Sequence, residues 1–338
     1  MIGVDLAKSV FQLHGASATG QVLFRKKLSR PAFTKFMAEH PPVTVVLEAC
    51  GSAHYWAREL SRLGHEVKLI AAQYVRPFVK RQKNDAADAE AIVIAAQRPE
   101  MRFVEAKTAE QQSRAMLFRA RVRLVRQRTE LVNMLRAFLY ELGYVVPQGI
   151  HHLPRIATII ADPGNDLPEI ARMECNELLE QIEVMTVRIA TSDRRIKSLA
   201  GQADISRRLQ TMPGVGPLTA LAVEAFAPPM ETFKCGRDFA AWLGLVPKQY
   251  SSGGKERLGR VSKAGQSDIR QLLIMGAMSR LNWMGRKSIK DTSWLAGMLA
   301  RKPRMLVAIA LANKMARTIW AMLTKQEDYQ TPATATAV

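Results

Sequence analysis

Two aspartates three residues apart, Asp85 and Asp88, stand in the stretch KRQKNDAADAEAI, directly after a cationic run. On a helix, residues at this spacing share a face, so the two carboxylates can converge on one point. Two further acids interrupt apolar runs, where an unpaired charge is expensive: Asp5 in IGVDLA and Glu48 near the end of VTVVLEA. Brought together, the four carboxylates would form an all-oxygen site for a hard divalent cation, Mg²⁺ or Mn²⁺. Such a site suits phosphoryl chemistry. Bound ions activate the attacking oxygen and stabilise the leaving one, and they offset the mutual repulsion of the acids. Taken alone, Asp85 and Asp88 are equally well explained as helix N-terminal acids aligned with the dipole. Asp5 and Glu48, placed in strands, favour the metal reading. Glu90 falls on another face of the same helix and is expected to be solvated.

The elements that must position these acids follow from periodicity. IGVDLA, VFQLHGAS and VLFRKKL are β-like runs separated by short turns and read as an antiparallel meander. RPAFTKFMAEHP then reads as a helix, VTVVLEA as a buried parallel strand, HYWARELSRLG as a helix and EVKLIAA as a strand. The order is βββαβαβ, with the strands of Asp5 and Glu48 side by side. The Ala-rich NDAADAEAIVIAAQ, with Asn84 in a capping position, predicts a helix starting at the two aspartates.

Residues 108–142 predict a long basic helix and 168–199 a second, an antiparallel pair joined through a Pro- and Gly-containing connection over 146–166. A coiled-coil arm and a helical bundle fit this pattern equally. Arg119, Arg123 and Arg126 on the first helix are candidates for phosphate contacts. Beyond residue 204 the chain reads mainly as short helices joined by Gly-rich turns, ending in PRMLVAIALANKMARTIWAML. Within it LQTMPGVGPLTA has the form of a helix-hairpin-helix turn. Gly214 and Gly216 would permit the tight turn, and its backbone N–H groups could cradle a DNA phosphate without reading bases. An ordinary helix-to-helix turn is the competing reading. Further on, Ser251 and Ser252 sit in a Gly-rich loop followed by Lys255, Arg257, Arg260 and Lys263. The cations suit phosphate charge, although a serine beside glycines is by itself an ordinary loop residue.

Across 338 residues the formal net charge is +19, with 48% hydrophobic residues, and the isoelectric point is about 10.2. A positive field of this size suits a polyanion as partner, nucleic acid first among them, with a membrane surface or the ribosome still open. The apolar run near 305–323 is broken by Asn313, Lys314 and Arg317, so a packed helix is expected rather than a membrane span. MIGVDLAKSV has none of the parts of a secretory signal, and three scattered cysteines form neither a disulfide framework nor a metal cluster. A bacterial-type cytoplasm is the expected location. The chain reaches an apolar strand at its second residue, which leaves a start further upstream open.

GVDLAKSVFQLHG, VLEACGS and KNDAADAEAI, in that order, resemble the RuvC-like, ribonuclease-H-type domain of the DEDD transposases of insertion-sequence family 110, which includes the Piv-type DNA invertases. The resemblance implies an α/β plus all-α chain. A ribonuclease-H-like mixed-sheet domain would span 1–105, a coiled-coil-like helical arm 106–203, and a helical transposase domain with the helix-hairpin-helix 204–326, before a disordered tail over 327–338. It implies that Asp5, Glu48, Asp85 and Asp88 are the metal-binding catalytic carboxylates. Tyr250, Ser251, Ser252 and Gly253 match the family's Tyr-x-Ser-Gly, which carries the nucleophilic serine to Ser252. Ser251, at the variable position, and Ser262, in the later SKAG, are weaker candidates. The resemblance further implies a DNA transposase or recombinase that forms a covalent phosphoserine link to DNA and joins this serine with the carboxylates in one composite site. It implies a homo-oligomer, dimer or tetramer, assembled around two duplexes and guided by a structured noncoding RNA. Other readings stay open at this point. A Holliday-junction-type nuclease would use the four acids alone and leave Ser252 dispensable, and a non-catalytic nucleic-acid-binding protein would bind no divalent metal. An actin-like ATPase would need a glycine soon after Asp5, where Leu6, Ala7 and Lys8 follow.

Overall fold

The alternation of apolar and polar residues in the first third of the chain builds one sheet. A computed structural model describes residues 1–79, 85–284 and 294–330 and divides the chain into two compact units, Met1–Gln112 and Ser113–Val338. The first unit runs β1 (Ile2–Leu6), β2 (Val10–Ala16), β3 (Val22–Ser29), α1 (Arg30–Glu39), β4 (Thr44–Glu48), α2 (Ala53–Arg62), β5 (Glu66–Ile70), α3 (Ala72–Val75), α4 (Asp85–Ala96) and β6 (Phe103–Val104). The six strands form a mixed sheet in the order β3-β2-β1-β4-β5-β6. β1 pairs antiparallel with β2 and parallel with β4, β4 pairs parallel with β5, and β6 closes the far edge antiparallel to β5. The expected βββαβαβ order is present. The short α3 and the two-residue β6 were not expected, because neither is long enough to carry a period. This sheet with its flanking helices fits a ribonuclease-H-like domain.

Strand side chains alternate between faces, and each face has its own core. On one face Ile2, Val4, Val45, Leu47 and Leu69 pack with Phe33, Met37, Trp56 and Leu60 of α1 and α2. At its centre Phe11, Phe33 and Trp56 meet edge to face, with centroids 5.0 and 5.1 Å apart. On the other face Val46 and Ile70 pack with Ala91, Ile92 and Ala95 of α4. The Asn84 cap lies outside the described residues.

The second unit contains most of α5 (Ala109–Glu141), then α6 (Leu153–Ala161), α7 (Glu169–Gln202), α8 (Asp204–Gln210), α9 (Pro217–Phe226) and α10 (Gly236–Trp242). It continues with the hairpin β7 (Pro247–Gln249) and β8 (Leu258–Val261), and ends with α11 (Ser267–Met284), α12 (Trp294–Leu299) and α13 (Arg304–Lys325). α5 and α7 run antiparallel. Arg121 Nε donates to Asp193 Oδ1 at 2.6 Å and Arg128 Nη1 to Thr186 Oγ1 at 3.3 Å, while Leu135 and Leu139 share a core with Cys175, Leu178 and Ile182. The expected connection over 146–166 contains α6, whose Ile156 and Ile160 fill that same core. The run of short helices beyond residue 204 is interrupted by β7 and β8, where the sequence suggested a loop. α13 is long and apolar enough to cross a membrane by length and composition. Its Val307, Leu311, Met315 and Ile319 are buried in the core built on α9, α10 and α11, as a packed helix requires. Residues 331–338 of the expected tail lie outside the described residues.

Candidate active site

The strand acids sit where the register puts them. Gly3 pairs with Val46 and Val4 with Leu47 across the parallel β1 and β4. One step further sets Asp5 beside Glu48, and alternation places both on the face that carries Gly3 and Val46, the face covered by α4. Gly3 permits that cover. A Cβ there would lie 2.5 Å from Val93 Cγ2 and 2.7 Å from the Ala89 carbonyl oxygen, so only glycine lets α4 approach β1 this closely. At the other end of the helix, Gln97 Nε2 donates to the Ser17 carbonyl at 3.2 Å, near the start of β1, since Ala16 N bonds Met1 O at 2.9 Å. α4 therefore runs antiparallel to β1 and directs its first turns, with Asp88, toward the end that carries Asp5. Sequence reasoning passed over Gly3; its signal was a glycine two residues before an acid within an apolar strand.

Asp5, Glu48 and Asp88 are all half-buried. Asp85 opens α4, and its side chain lies outside the described residues. Among the described residues no group of three or more His, Cys, Asp or Glu side chains closes on a metal-binding point, so Asp5, Glu48 and Asp88 do not complete such a site by themselves. The donor chemistry of Asp5, Glu48 and Asp88, carboxylate oxygen throughout, is of the kind that fits a hard divalent cation. Glu90 corrects the expectation of a solvated control. Its Oε2 lies 3.3 Å from Arg25 Nη2 of β3, and its side chain is 21% exposed.

The serine pair belongs to the β7–β8 hairpin. Gln249 pairs with Leu258, Tyr250 N bonds Arg257 O at 2.8 Å, and Ser252 bridges Lys255. Between the last pair Gly253 and Gly254 have φ of 56° and 76°, and Lys255 N bonds Ser252 O at 3.1 Å. Positive φ at both central positions is the turn whose twist matches a two-stranded ribbon, and Gly-Gly supplies it without a Cβ penalty. The continuous register puts Tyr250, Ser252, Lys255 and Arg257 on one face of the ribbon. The two serines differ in their partners. Ser251 Oγ accepts from Gln249 Nε2 at 3.1 Å and from Arg257 N at 3.2 Å, whereas Ser252 is exposed at the tip. A cleft of about 680 Å³ beside the ribbon is lined by Lys248, Tyr250, Arg257, Arg260, Ser262 and Lys263, among others. Below it the SKAG turn is pinned by the buried guanidinium of Arg270, whose Nη1 donates to Leu243 O at 2.9 Å and Ala264 O at 2.7 Å. Burial lowers the Arg270 pKa from its ordinary value.

α5 sorts its arginines by face. Arg114, Arg121 and Arg128, seven residues apart, turn inward to Glu224, Asp193 and Thr186. Arg119, Arg123 and Arg126 are exposed, and Arg119 also lies over the Phe226 ring at 5.3 Å. Gly214, with φ 90°, has a packing role: a Cβ there would lie 2.8 Å from Gly276 O of α11. Gly216 caps α9 with extended backbone.

A profile described as the transposase IS116/IS110/IS902 family matches residues 206–292, and an IS110-type DEDD transposase profile matches residues 2–143. A Sinorhizobium fredii protein named as transposase y4pF/y4sB is 46% identical over 97% of this chain and 85% of its own length. A Pseudomonas aeruginosa protein named as a family 20 transposase is 45% identical, covering 97% and 98%. The transposase for insertion sequence element IS1328 of Yersinia enterocolitica is 39% identical, covering 96% and 97%.

Proposed function

The chain belongs to the IS116/IS110/IS902 family of transposases, and from that premise we propose that it cleaves and exchanges DNA strands with Asp5, Glu48, Asp85 and Asp88 as metal ligands and Ser252 as nucleophile. The observation that carries this reading is the parallel register of β1 and β4 beneath α4, whose continuation by one residue would set Asp5 beside Glu48. Mg²⁺ or Mn²⁺ held by these carboxylates would supply positive charge for a phosphate in its transition state. Ser252 Oγ forms a bond to phosphorus as the bond to a deoxyribose oxygen breaks. The serine gives up its proton and the departing oxygen takes one, leaving a phosphoserine ester. Attack by a hydroxyl of the new strand releases the serine, so the exchange consumes no water. Lys255 and Arg257, on the same ribbon face as Ser252, stabilise the phosphate charge.

DNA is held chiefly through phosphates, by Arg119, Arg123 and Arg126 on α5, by the turn at Gly214 and Gly216 read as a helix-hairpin-helix, and by Arg260 and Lys263. The net charge of +19 leaves capacity for a second polyanion. We assign this to a structured guide RNA, in an assembly of two or four copies whose paired long helices α5 and α7 act as a coiled-coil-like arm. The domains proposed are 1–105, 106–203 and 204–326.

A strand-exchange assay with element ends, RNA and Mg²⁺ tests the reading through a denaturation-resistant protein–DNA adduct. Asp88→Asn and Ser252→Ala should each abolish the adduct while leaving DNA binding within about twofold, since neither removes positive charge. An adduct formed by the Ser252→Ala protein would assign the nucleophile elsewhere. Metal-dependent cleavage retained by Ser252→Ala without any adduct would make the protein a hydrolytic nuclease.

A further inference from the structure

The cleft beside the β7–β8 ribbon is more than a patch of charge. Four cations line it, Lys248, Arg257, Arg260 and Lys263, and Tyr250 stands among them with 59% of its surface exposed. An exposed aromatic ring within a cationic groove is the pairing that single-stranded nucleic acid uses: phosphates on the cations, a base on the ring. The ring also has a close neighbour across the ribbon. One side of it lies against Gly259, where a Cβ would stand 2.5 Å from Tyr250 Cε2, so glycine is what allows the ring to lie there. Tyr250 N donates to the Arg257 carbonyl across the ribbon at 2.8 Å, and the Ser252–Lys255 bridge follows two residues on, which by alternation is the same face.

We propose that this cleft is a subsite for one unpaired nucleotide, its base stacked on Tyr250 and its phosphate held by Arg257 and neighbouring cations. The proposal rests on the reading of Ser252 as nucleophile and adds to it. Tyr250 and Ser252 are two residues apart along a strand, about 6.6 Å, roughly the span of one extended nucleotide. A base stacked on Tyr250 therefore sets the adjoining phosphate at Ser252 and Lys255. Stacking accepts any base, so the subsite selects unpaired DNA rather than a sequence. The nucleotide beside the cleavage point must leave its duplex before the serine can act.

The test measures binding of the full chain to a short oligothymidine and to a base-free deoxyribose-phosphate strand of equal length, by fluorescence anisotropy without divalent metal. Tyr250→Ala should lose roughly tenfold in affinity on oligothymidine and nothing on the base-free strand, while Tyr250→Phe should match the parent on both. Arg257→Gln should weaken both strands alike. In a second arm, an oligothymidine carrying 5-iododeoxyuridine is photocrosslinked and the product mapped by mass spectrometry; the adduct should fall on the peptide containing Tyr250. Equal affinity of Tyr250→Ala and parent for oligothymidine, an equal loss on the base-free strand, or crosslinks only to other peptides would each overturn the proposal. Ser252→Ala should bind and crosslink normally. A failure of the subsite thus shows in binding, whereas a failure of the nucleophile assignment shows only in the adduct.

Discussion

Gly3 shows how a residue without a side chain can govern a site. Its substitution by Ala would drive a methyl group against Val93 and the Ala89 carbonyl. Overpacking of this kind costs about 1–3 kcal/mol, and here the strain is relieved by lifting α4 from β1. Gly3→Ala should therefore weaken divalent-metal binding severalfold, read by calorimetry, although all four carboxylates remain; unchanged affinity would separate the site from the helix. At this scale the sequence was informative where it broke its own pattern. Asp5 and Glu48 stood out because an acid in an apolar strand needs a reason, and their strands β1 and β4 are neighbours in the sheet. The choice of Ser252 over Ser251 rested on the resemblance to Tyr-x-Ser-Gly and not on the physical pattern of the residues, because the physical difference depends on which hydroxyl the hairpin consumes. Ser251 is bonded to Gln249 and Arg257, a consequence of a register fixed only once the Gly-Gly turn closes. Glu90 was misread for a related reason, since its partner Arg25 lies 65 residues away.

At the scale of elements, α5 separates structural from available charge. Replacing Arg119, Arg123 and Arg126 together by Gln should lower the thermal midpoint only by what the Arg119 contact with the Phe226 ring contributes, and should flatten the salt dependence of duplex binding. The log–log slope should fall by up to about 2.7 if each arginine meets a phosphate. The same change at Arg121 and Arg128 should act on stability, because their partners are on α7; an unchanged slope in the first variant would assign its arginines to a solvated face. Helical periodicity marked the basic helix but not this division, which is set by where α7 packs. A second element-scale effect lies between α2 and the segment entering α5. His54 Nδ1 accepts from Lys107 N at 3.1 Å. Burial, then the charges of Lys107 and Arg58, hold the imidazole pKa down to about 4 from its ordinary value of 6.5. The unfolded chain thus binds this proton more readily than the folded one, so the contribution is complete above pH 6.5 and is lost as pH falls toward 4. The midpoint of the first unit should drop between pH 7 and 5, and His54→Asn should flatten that decline. A decline of equal size in the variant would place the titrating group elsewhere.

At the scale of the whole molecule, charge and topology answer different questions. The net charge of +19 announced a polyanion partner before any element was placed, whereas no composition could reveal a hairpin interrupting a helical domain. β7 and β8 are three and four residues long, too brief for alternation to register, and the glycines between them read equally well as a loop. The sheet of the first unit has one more consequence, which concerns how the protein behaves in a crowd of its own copies. Its two outer strands are β3 and β6. β3 carries exposed Arg25, Lys26 and Lys27, and β6 is two residues long. A charged margin and a truncated one are both poor templates for an incoming strand, so the sheet resists growing by edge-to-edge aggregation. Replacing Lys26 and Lys27 by Val and Thr should leave the circular dichroism unchanged yet raise light scattering on concentration at moderate salt. With its native edges the protein can be concentrated on its polyanion, many copies close together, without its sheets joining.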